Sequence, residues 1–234
     1  MPLTNRIFAE FIGTALLLAC VVGSGIMGVS LSQGNDGVAL LANAGATAAI
    51  LYVLIAVLGP VSGAHFNPAV TLAARVHGDL ESRDTLAYIG AQVSGAIAGV
   101  MLAHAMFDLP LFQPGTHERA GVSQWISEGV ASFGLLLTIR LGARLRPKAV
   151  PLLVAAYVFA AYWFTASTSF ANPAVTLARA LTQTFAGIRP QDVGGFVVAQ
   201  LLGAGFACFV TGLLVPALTD SERIDRQLTS DRRA

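Results

Sequence analysis

Residues 67–73 read Asn-Pro-Ala-Val-Thr-Leu-Ala, and residues 172–178 repeat the same seven residues 105 positions later. Asn is a preferred N-cap of α-helices, and Pro fits the first helical turn, where its missing N–H costs nothing. Each copy therefore predicts a short helix that begins at its Asn, the first ending near Gly78 and the second near Gly187. Helices of this length enter a bilayer without crossing it.

The composition around this repeat is that of a membrane protein. Hydrophobic residues make up 55% of the 234 residues, charged residues only 12%, and the mean hydropathy is +0.68. A soluble domain carries roughly a quarter charged residues, and a membrane-spanning helix needs about 20 mostly apolar ones. The sequence predicts six spans, centred on the apolar stretches 11–31, 38–62, 86–107, 125–139, 149–171 and 193–218.

Basic residues concentrate in alternate loops between these spans, a pattern that marks the cytoplasmic side. The richer set is Arg6, Arg75, Arg83, Arg140, Arg144, Arg146, Lys148, Arg223, Arg226, Arg232 and Arg233. The opposite loops hold Arg119, Arg179 and Arg189. We therefore expect a protein of the inner (plasma) membrane with both termini in the cytoplasm. The net charge of +1 gives no indication of nucleic acid.

The two halves of the chain match beyond the tripeptide. We predict one channel domain over 1–234, with one repeat at about 5–107, a second at about 122–216 and a cytoplasmic tail at 217–234. Three spans per half insert the second repeat upside down, which brings broken helices together at the membrane midplane. The fold class is thus an all-α membrane protein with six transmembrane helices and two re-entrant half-helices in an inverted 3+3 repeat.

Polar residues inside the spans also occur in pairs. Glu10 and Glu128 lie at equivalent places in the first span of each half, and Gln92 and Gln200 in the last. A carboxylate within a span is costly and needs a partner. We expect each Glu to accept hydrogen bonds from backbone N–H groups of its own half's re-entrant loop, and each Gln to anchor a helix or loop. Proton transport by the carboxylates is the less favoured interpretation.

Two helix N-termini that meet in the membrane would form the centre of a pore. Each carries about half a positive charge, which repels cations and disfavours a proton wire. Non-helical backbone at this depth must be buried or line a wet cavity. The predicted pore residues are the two boxes, Asn67, Pro68, Ala69, Asn172, Pro173 and Ala174, and the loop residues Gly63, Ala64, His65, Phe170 and Ala171. His65 either lines the pore or also gates it with pH.

With both boxes, the lead-in at 62–66, the paired Glu and the paired Gln, the chain resembles the major intrinsic proteins, the aquaporins and aquaglyceroporins. The resemblance covers residues 5–216. It implies six spans with two half-helices, a homotetramer with one pore per protomer in membrane lipid, and passive conduction of water or small neutral solutes.

The chain departs from the family at the narrow selectivity filter. Val175 stands where most members carry Arg, and the spacing carried over from the family adds Thr47 and Ser169. Counting back from Asn172 gives Ala160 as the fourth residue of this ring, whereas counting forward from Pro151 gives Tyr162. Either ring should be wider than a water-only filter and uncharged.

A Val at this position, with small neighbours, resembles the aquaglyceroporins encoded beside bacterial arsenic-resistance genes, which implies conduction of arsenite and antimonite. Arg179, four residues beyond Val175, lies on the same helix face and about 6 Å farther from the midplane. Either its charge has moved from the filter to the vestibule, or it is a structural or lipid-headgroup Arg.

Three other interpretations compete with a polyol and metalloid channel. An ordinary water and glycerol facilitator is the nearest, and an ion-coupled secondary transporter would also use inverted repeats and broken helices. A membrane enzyme is disfavoured because the sequence has no nucleophile–base pair, no metal-ligand spacing and no Gly-rich phosphate loop. We expect no cofactor and no bound metal.

Overall fold

The structure is a computed structural model that describes residues 1–215. Within these residues the regular elements are helices, and six of them are long and apolar enough to cross a membrane. In chain order the helices are α1 Leu3–Leu31, α2 Asp36–Ser62, α3 Pro68–Val76, α4 Ser82–Met106, α5 Val122–Leu145, α6 Val150–Phe164, α7 Pro173–Arg179 and α8 Val193–Leu214. The predicted fold class is confirmed, and the tail at 217–234 lies outside the described residues.

Each half of the chain packs its first and last long helices tightly together. α1 lies against α4, and α5 lies against α8. Glycines make these approaches possible: a Cβ on Gly95 of α4 would collide with the carbonyl of Phe11, and one on Gly203 of α8 with the carbonyl of Gly129. Small residues at helix contacts are the usual means of close packing in lipid. The same device thus serves both halves of the inverted repeat.

The two short helices α3 and α7 start at the repeated boxes and run in opposite directions. They have 9 and 7 residues, so that end to end they measure about 24 Å, less than the hydrocarbon core of a bilayer. α3 contacts both α4 and α8, and α7 does the same. Both half-helices are therefore enclosed by spans from the two repeats.

The prediction that α7 extends to about Gly187 is wrong, because the helix ends at Arg179. The carbonyls that would continue the helix are used by other segments. Ile188 N–H donates to Arg179 O, and Gly115 N–H donates to Ala180 O, at 3.2 and 2.8 Å. Tertiary hydrogen bonds from the neighbouring loop thus replace the next helical turn.

The span boundaries differ from the apolar stretches mainly at their ends. α1 begins at Leu3, well before the stretch at 11–31, and α6 ends at Phe164, within the stretch at 149–171. Residues 165–171, at the end of that stretch, are rich in Ser and Thr and form a mostly buried loop that leads to the second box. Hydropathy cannot distinguish this buried loop from a continuing helix.

Candidate functional site

The N-termini of the two half-helices meet through their asparagines. Asn67 Oδ1 accepts the N–H of Ala69, and Asn172 Oδ1 accepts the N–H of Ala174, so each side chain caps its own helix. Each Nδ2 then donates across the junction, from Asn67 to Ala171 O and from Asn172 to Phe66 O, both at 2.8 Å. One amide therefore starts a helix and ties it to the other half. The remaining residues of the two boxes, Pro68, Ala69, Pro173 and Ala174, are buried beside this junction.

The loops that lead into the boxes have matching backbone strain. Ala64 and Phe66 have φ values of 51° and 49°, and Ser169 and Ala171, each 105 residues later, have 50° and 48°. A left-handed conformation at a non-glycine residue costs about 1–3 kcal/mol and needs support from its surroundings. The same fold of the loop is thus built twice, and something must hold it in both halves.

Buried carboxylates supply that support. Glu10, which is completely buried, accepts hydrogen bonds from His65 N–H and Phe66 N–H at 2.9 and 2.7 Å. Gln92 Nε2 donates to the same carboxylate at 2.8 Å, as does the Ser62 hydroxyl at 2.7 Å. One buried carboxylate thus accepts four hydrogen bonds and orders the groups around it.

The second half repeats this network residue by residue. Glu128 accepts from Phe170 N–H and Ala171 N–H, both at 2.9 Å, and from Gln200 Nε2 at 2.6 Å. The Ser167 hydroxyl donates at 2.6 Å. The carboxylates therefore bond the loops of their own halves, the geometry that the sequence analysis expected of them.

Sequence reasoning missed two further pairs of this network. Ser62 and Ser167 each lie five residues before a box Asn, and both donate to the carboxylate. Thr71 and Thr176, inside the repeated heptapeptide, each accept a hydrogen bond from the Gln of their half at 2.8 Å. The signal was present, since both pairs recur at the 105-residue spacing.

A cavity of about 620 Å³ follows the two half-helices and passes the junction of the boxes. At one end, beside the C-terminus of α3, its lining includes His77, Asp79 and Arg144, and at the other end it includes Arg179, the last residue of α7. We call these the Arg144 mouth and the Arg179 mouth. The predicted pore residues Gly63, Ala64, His65, Phe170 and Ala171 and both box asparagines line the cavity between them.

Four residues surround this cavity between the junction and the Arg179 mouth. Thr47 Oγ1 and the Tyr162 hydroxyl lie 3.3 Å apart, and Ser169 and Val175 complete the group. All four are buried, and Ser169 Oγ has no hydrogen-bond partner within residues 1–215. We call these four residues the ring. Its side chains carry hydroxyl and methyl groups and no charge.

The structure decides between Ala160 and Tyr162 as the fourth residue of the ring. Tyr162 is 4% exposed and shares a helix face with Val154 and Val158, which also line the cavity. Ala160 lies on the exposed face of α6 and does not line the cavity. Counting back from Asn172 was therefore wrong by two residues, a rotation of about 200° on a helix.

Arg179 is only 2% exposed and lines the cavity at its mouth. Its Nε donates to Ala186 O, and its Cζ lies 3.3 Å from the ring centroid of Phe170. A headgroup-binding Arg would be exposed, so that alternative is excluded. Arg119, in the loop between α4 and α5, also contacts this ring, with its Cζ 5.0 Å from the ring centroid of Phe170. No pattern in the sequence predicted this contact.

This geometry agrees with the comparisons to known proteins. The family described as major intrinsic protein matches residues 1–144. The chain is 59% identical to aquaglyceroporin AqpS of Rhizobium meliloti over 92% of both chains. It is also 31% identical to aquaporin TIP1-1 of Zea mays, over 88% of this chain and 85% of the relative.

The chain belongs to the major intrinsic protein family. This family consists of passive membrane channels, so the protein is a multi-pass channel and not an enzyme. A solved structure of the aquaglyceroporin from Plasmodium falciparum shares the fold of this major intrinsic protein, with a TM-score of 0.71 at 18% identity over 92% of this chain and 98% of that one.

Proposed function

We propose that the protein conducts small uncharged hydroxylated solutes: glycerol-like polyols, trivalent metalloid hydroxides such as arsenite and antimonite, and some water. The observation that carries this proposal is the uncharged ring of Thr47, Tyr162, Ser169 and Val175. The hydroxyls of the ring can bond a solute's OH groups, while Val175 presents methyl groups where a guanidinium would fill space. Arsenous acid is neutral at pH 7 and presents three hydroxyls, much as glycerol does.

The remaining parts of the pore have roles in this proposal. The box asparagines and the carbonyls of the loop residues hydrogen-bond the solute along the cavity, and the facing helix ends disfavour cations. Glu10, Glu128, Gln92 and Gln200 hold the loops and do not form a proton-transport pathway, because all four side chains bond to the loop networks. His65 lines the pore, with Nδ1 3.1 Å from Thr71 Oγ1.

We further propose that the protein is a homotetramer in the plasma membrane, with one pore per protomer. In this orientation the Arg144 mouth faces the cytoplasm, together with both termini, as the distribution of basic loops predicts. The single domain 1–234 then comprises the two repeats and the tail. An exposed apolar surface on the outer faces of α2, α6 and α8 is consistent with contact to lipid or to other protomers.

An ordinary water and glycerol facilitator is the second candidate. It is supported by similarity to the glycerol uptake facilitator protein of Streptococcus pneumoniae, at 34% identity over 58% of this chain and 63% of the relative. The two candidates share a pore for glycerol and differ in whether metalloid hydroxides pass at a comparable rate.

Swelling of proteoliposomes in water, glycerol and arsenite gradients tests the proposal, first with the wild type and then with Val175→Arg. We expect the wild type to pass all three, and the substitution to reduce glycerol and arsenite flux at least several-fold because the guanidinium narrows the ring. Water flux in the same vesicles reports that the pore is assembled. If glycerol and arsenite rates do not change, Val175 does not line the constriction.

A further inference from the structure

Arg179 breaks the near-symmetry of the two halves at the cavity wall. Positions 105 residues apart carry the same residue at Val70 and Val175, and both line the cavity. One helical turn farther from the boxes, the first half has Ala74 and the second has Arg179. At this position of the cavity wall a guanidinium in the second half therefore replaces a methyl group in the first.

The structure holds this guanidinium in a defined position. Phe170 packs against it face-on, and Ala186 O accepts its Nε–H. Arg119 approaches the same aromatic ring while donating from Nε to Gly187 O at 2.9 Å and from Nη1 to Ser167 O at 3.2 Å. Two arginines are thus fixed around one phenyl ring, each by bonds to backbone carbonyls.

Neither guanidinium forms a salt bridge with a carboxylate among residues 1–215. The salt bridges of this part of the chain join Arg6 to Asp84, and Arg189 to Glu118 and Asp192. Buried charges are normally paired, because removing them from water is costly. A neutral amide could bond the same carbonyl, so loop support alone does not account for an unpaired charge at the cavity wall.

We propose that Arg179 is a second cation barrier of this channel, in addition to the facing helix ends, with its position fixed by Phe170 and its field reinforced by Arg119. This inference rests on the proposed function, in which the ring itself is uncharged. It makes Arg179 a specificity-determining residue one helical turn beyond Val175.

A fixed positive charge at the Arg179 mouth hinders the passage of cations but not that of neutral solutes. The low-dielectric wall of a narrow pore concentrates the field of a guanidinium in the lumen, which repels Na⁺ and hydronium. An uncharged polyol meets only hydrogen-bond donors there. Moving the charge from the ring to its mouth therefore permits a wider ring without loss of cation exclusion.

The test compares Na⁺ and proton leak with glycerol swelling in the same proteoliposomes. Arg179→Gln removes the charge but keeps an amide donor for Ala186 O. We expect this variant to swell in glycerol and to leak Na⁺ and protons at least tenfold faster than the wild type under an imposed membrane potential. Arg189→Gln, an Arg on the same side that is paired with two carboxylates, is the matched control and should not leak.

A double variant distinguishes a lost charge from a damaged loop. Val175→Arg combined with Arg179→Gln returns a guanidinium to the ring and should suppress the leak, which a disordered loop would not allow. Unchanged cation flux in Arg179→Gln with intact swelling would overturn the inference, as would a leak that the double variant retains. Loss of swelling in both Arg179→Gln and Arg179→Lys would assign Arg179 to loop support and overturn it too. Failure of the wild type to swell in glycerol would refute the proposed function instead.

Discussion

Asn67 and Asn172 exchange hydrogen bonds with each other's loops, each donating its amide N–H to the carbonyl that ends the opposite lead-in. Because both side chains also accept a backbone N–H of their own helix, their orientation is determined. The junction thus locks two half-helices tip to tip without a direct side-chain bond between the asparagines. The conduction pathway depends on this reciprocal arrangement.

Replacing Asn172 with Asp should weaken the junction. The capping oxygen remains, but the Nδ2 donor is lost and a carboxylate oxygen is placed against Phe66 O. We expect a loss of about 1–3 kcal/mol in the free energy of unfolding, seen as a lower Tm in detergent. Asn35→Asp is the control, since Asn35 caps α2 at an exposed turn and Asp caps equally well. Equal Tm values for the two variants would contradict the role of the cross-junction bond.

Replacing either loop-holding carboxylate, Glu10 or Glu128, with an amide should destabilise the protein. In the wild type, N–H and O–H groups donate to both oxygens of Glu128. In Glu128→Gln an NH₂ group replaces one of these oxygens, so that donors face donors. We expect a loss of about 3 kcal/mol, and a similar loss in Glu10→Gln, because the two networks match. Glu118→Gln, at a carboxylate whose side chain is 70% exposed, should cost little. Thermal unfolding checks this, and a stable, conducting Glu128→Gln would argue against the anchor.

Tyr162 should control the width of the ring. Tyr162→Ala removes the phenol that faces Thr47, so the permeability to erythritol should rise at least several-fold relative to glycerol. Ala160→Val, on the exposed face of the same helix, should leave the ratio of the two polyols unchanged. Swelling rates in a series of polyols measure both. If Ala160→Val changes this ratio and Tyr162→Ala does not, Ala160 and not Tyr162 is the fourth ring residue.

Close packing of α5 and α8 gives a test that does not depend on the solute. A Cβ on Gly203 would overlap the carbonyl of Gly129, whereas one on Gly205 would meet nothing within 4 Å. Gly203→Ala should therefore lower stability by about 1–3 kcal/mol, and Gly205→Ala should not lower it, since Ala favours the helix. Similar Tm values in the two variants would mean that this helix contact is looser than the structure shows.

The sequence predicted the parts of the pore that occur twice. The boxes, the paired Glu and the paired Gln were recognisable because two copies at one spacing have one explanation, and the hydrogen bonds follow that symmetry. The fold class could be read from the same repeat together with the apolar spans.

The features that occur once were harder to predict. The early end of α7 depends on hydrogen bonds from the loop near Gly115, and the contact of Arg119 with Phe170 depends on how that loop folds over the mouth. The choice between Ala160 and Tyr162 required the rotation of α6, which the loop length before Asn172 obscured. Left-handed backbone at Ala64 or Ser169 has no residue signature, since it is imposed by the carboxylates.

Uptake of arsenite and glycerol by cells that lack their own channels for these solutes tests the central claim most directly. Expression of this protein should increase the uptake of both, with initial rates linear in the gradient and insensitive to uncouplers. Glycerol uptake without arsenite uptake would contradict the proposed range of solutes and favour an ordinary facilitator. Saturable uptake abolished by an uncoupler would contradict passive conduction itself.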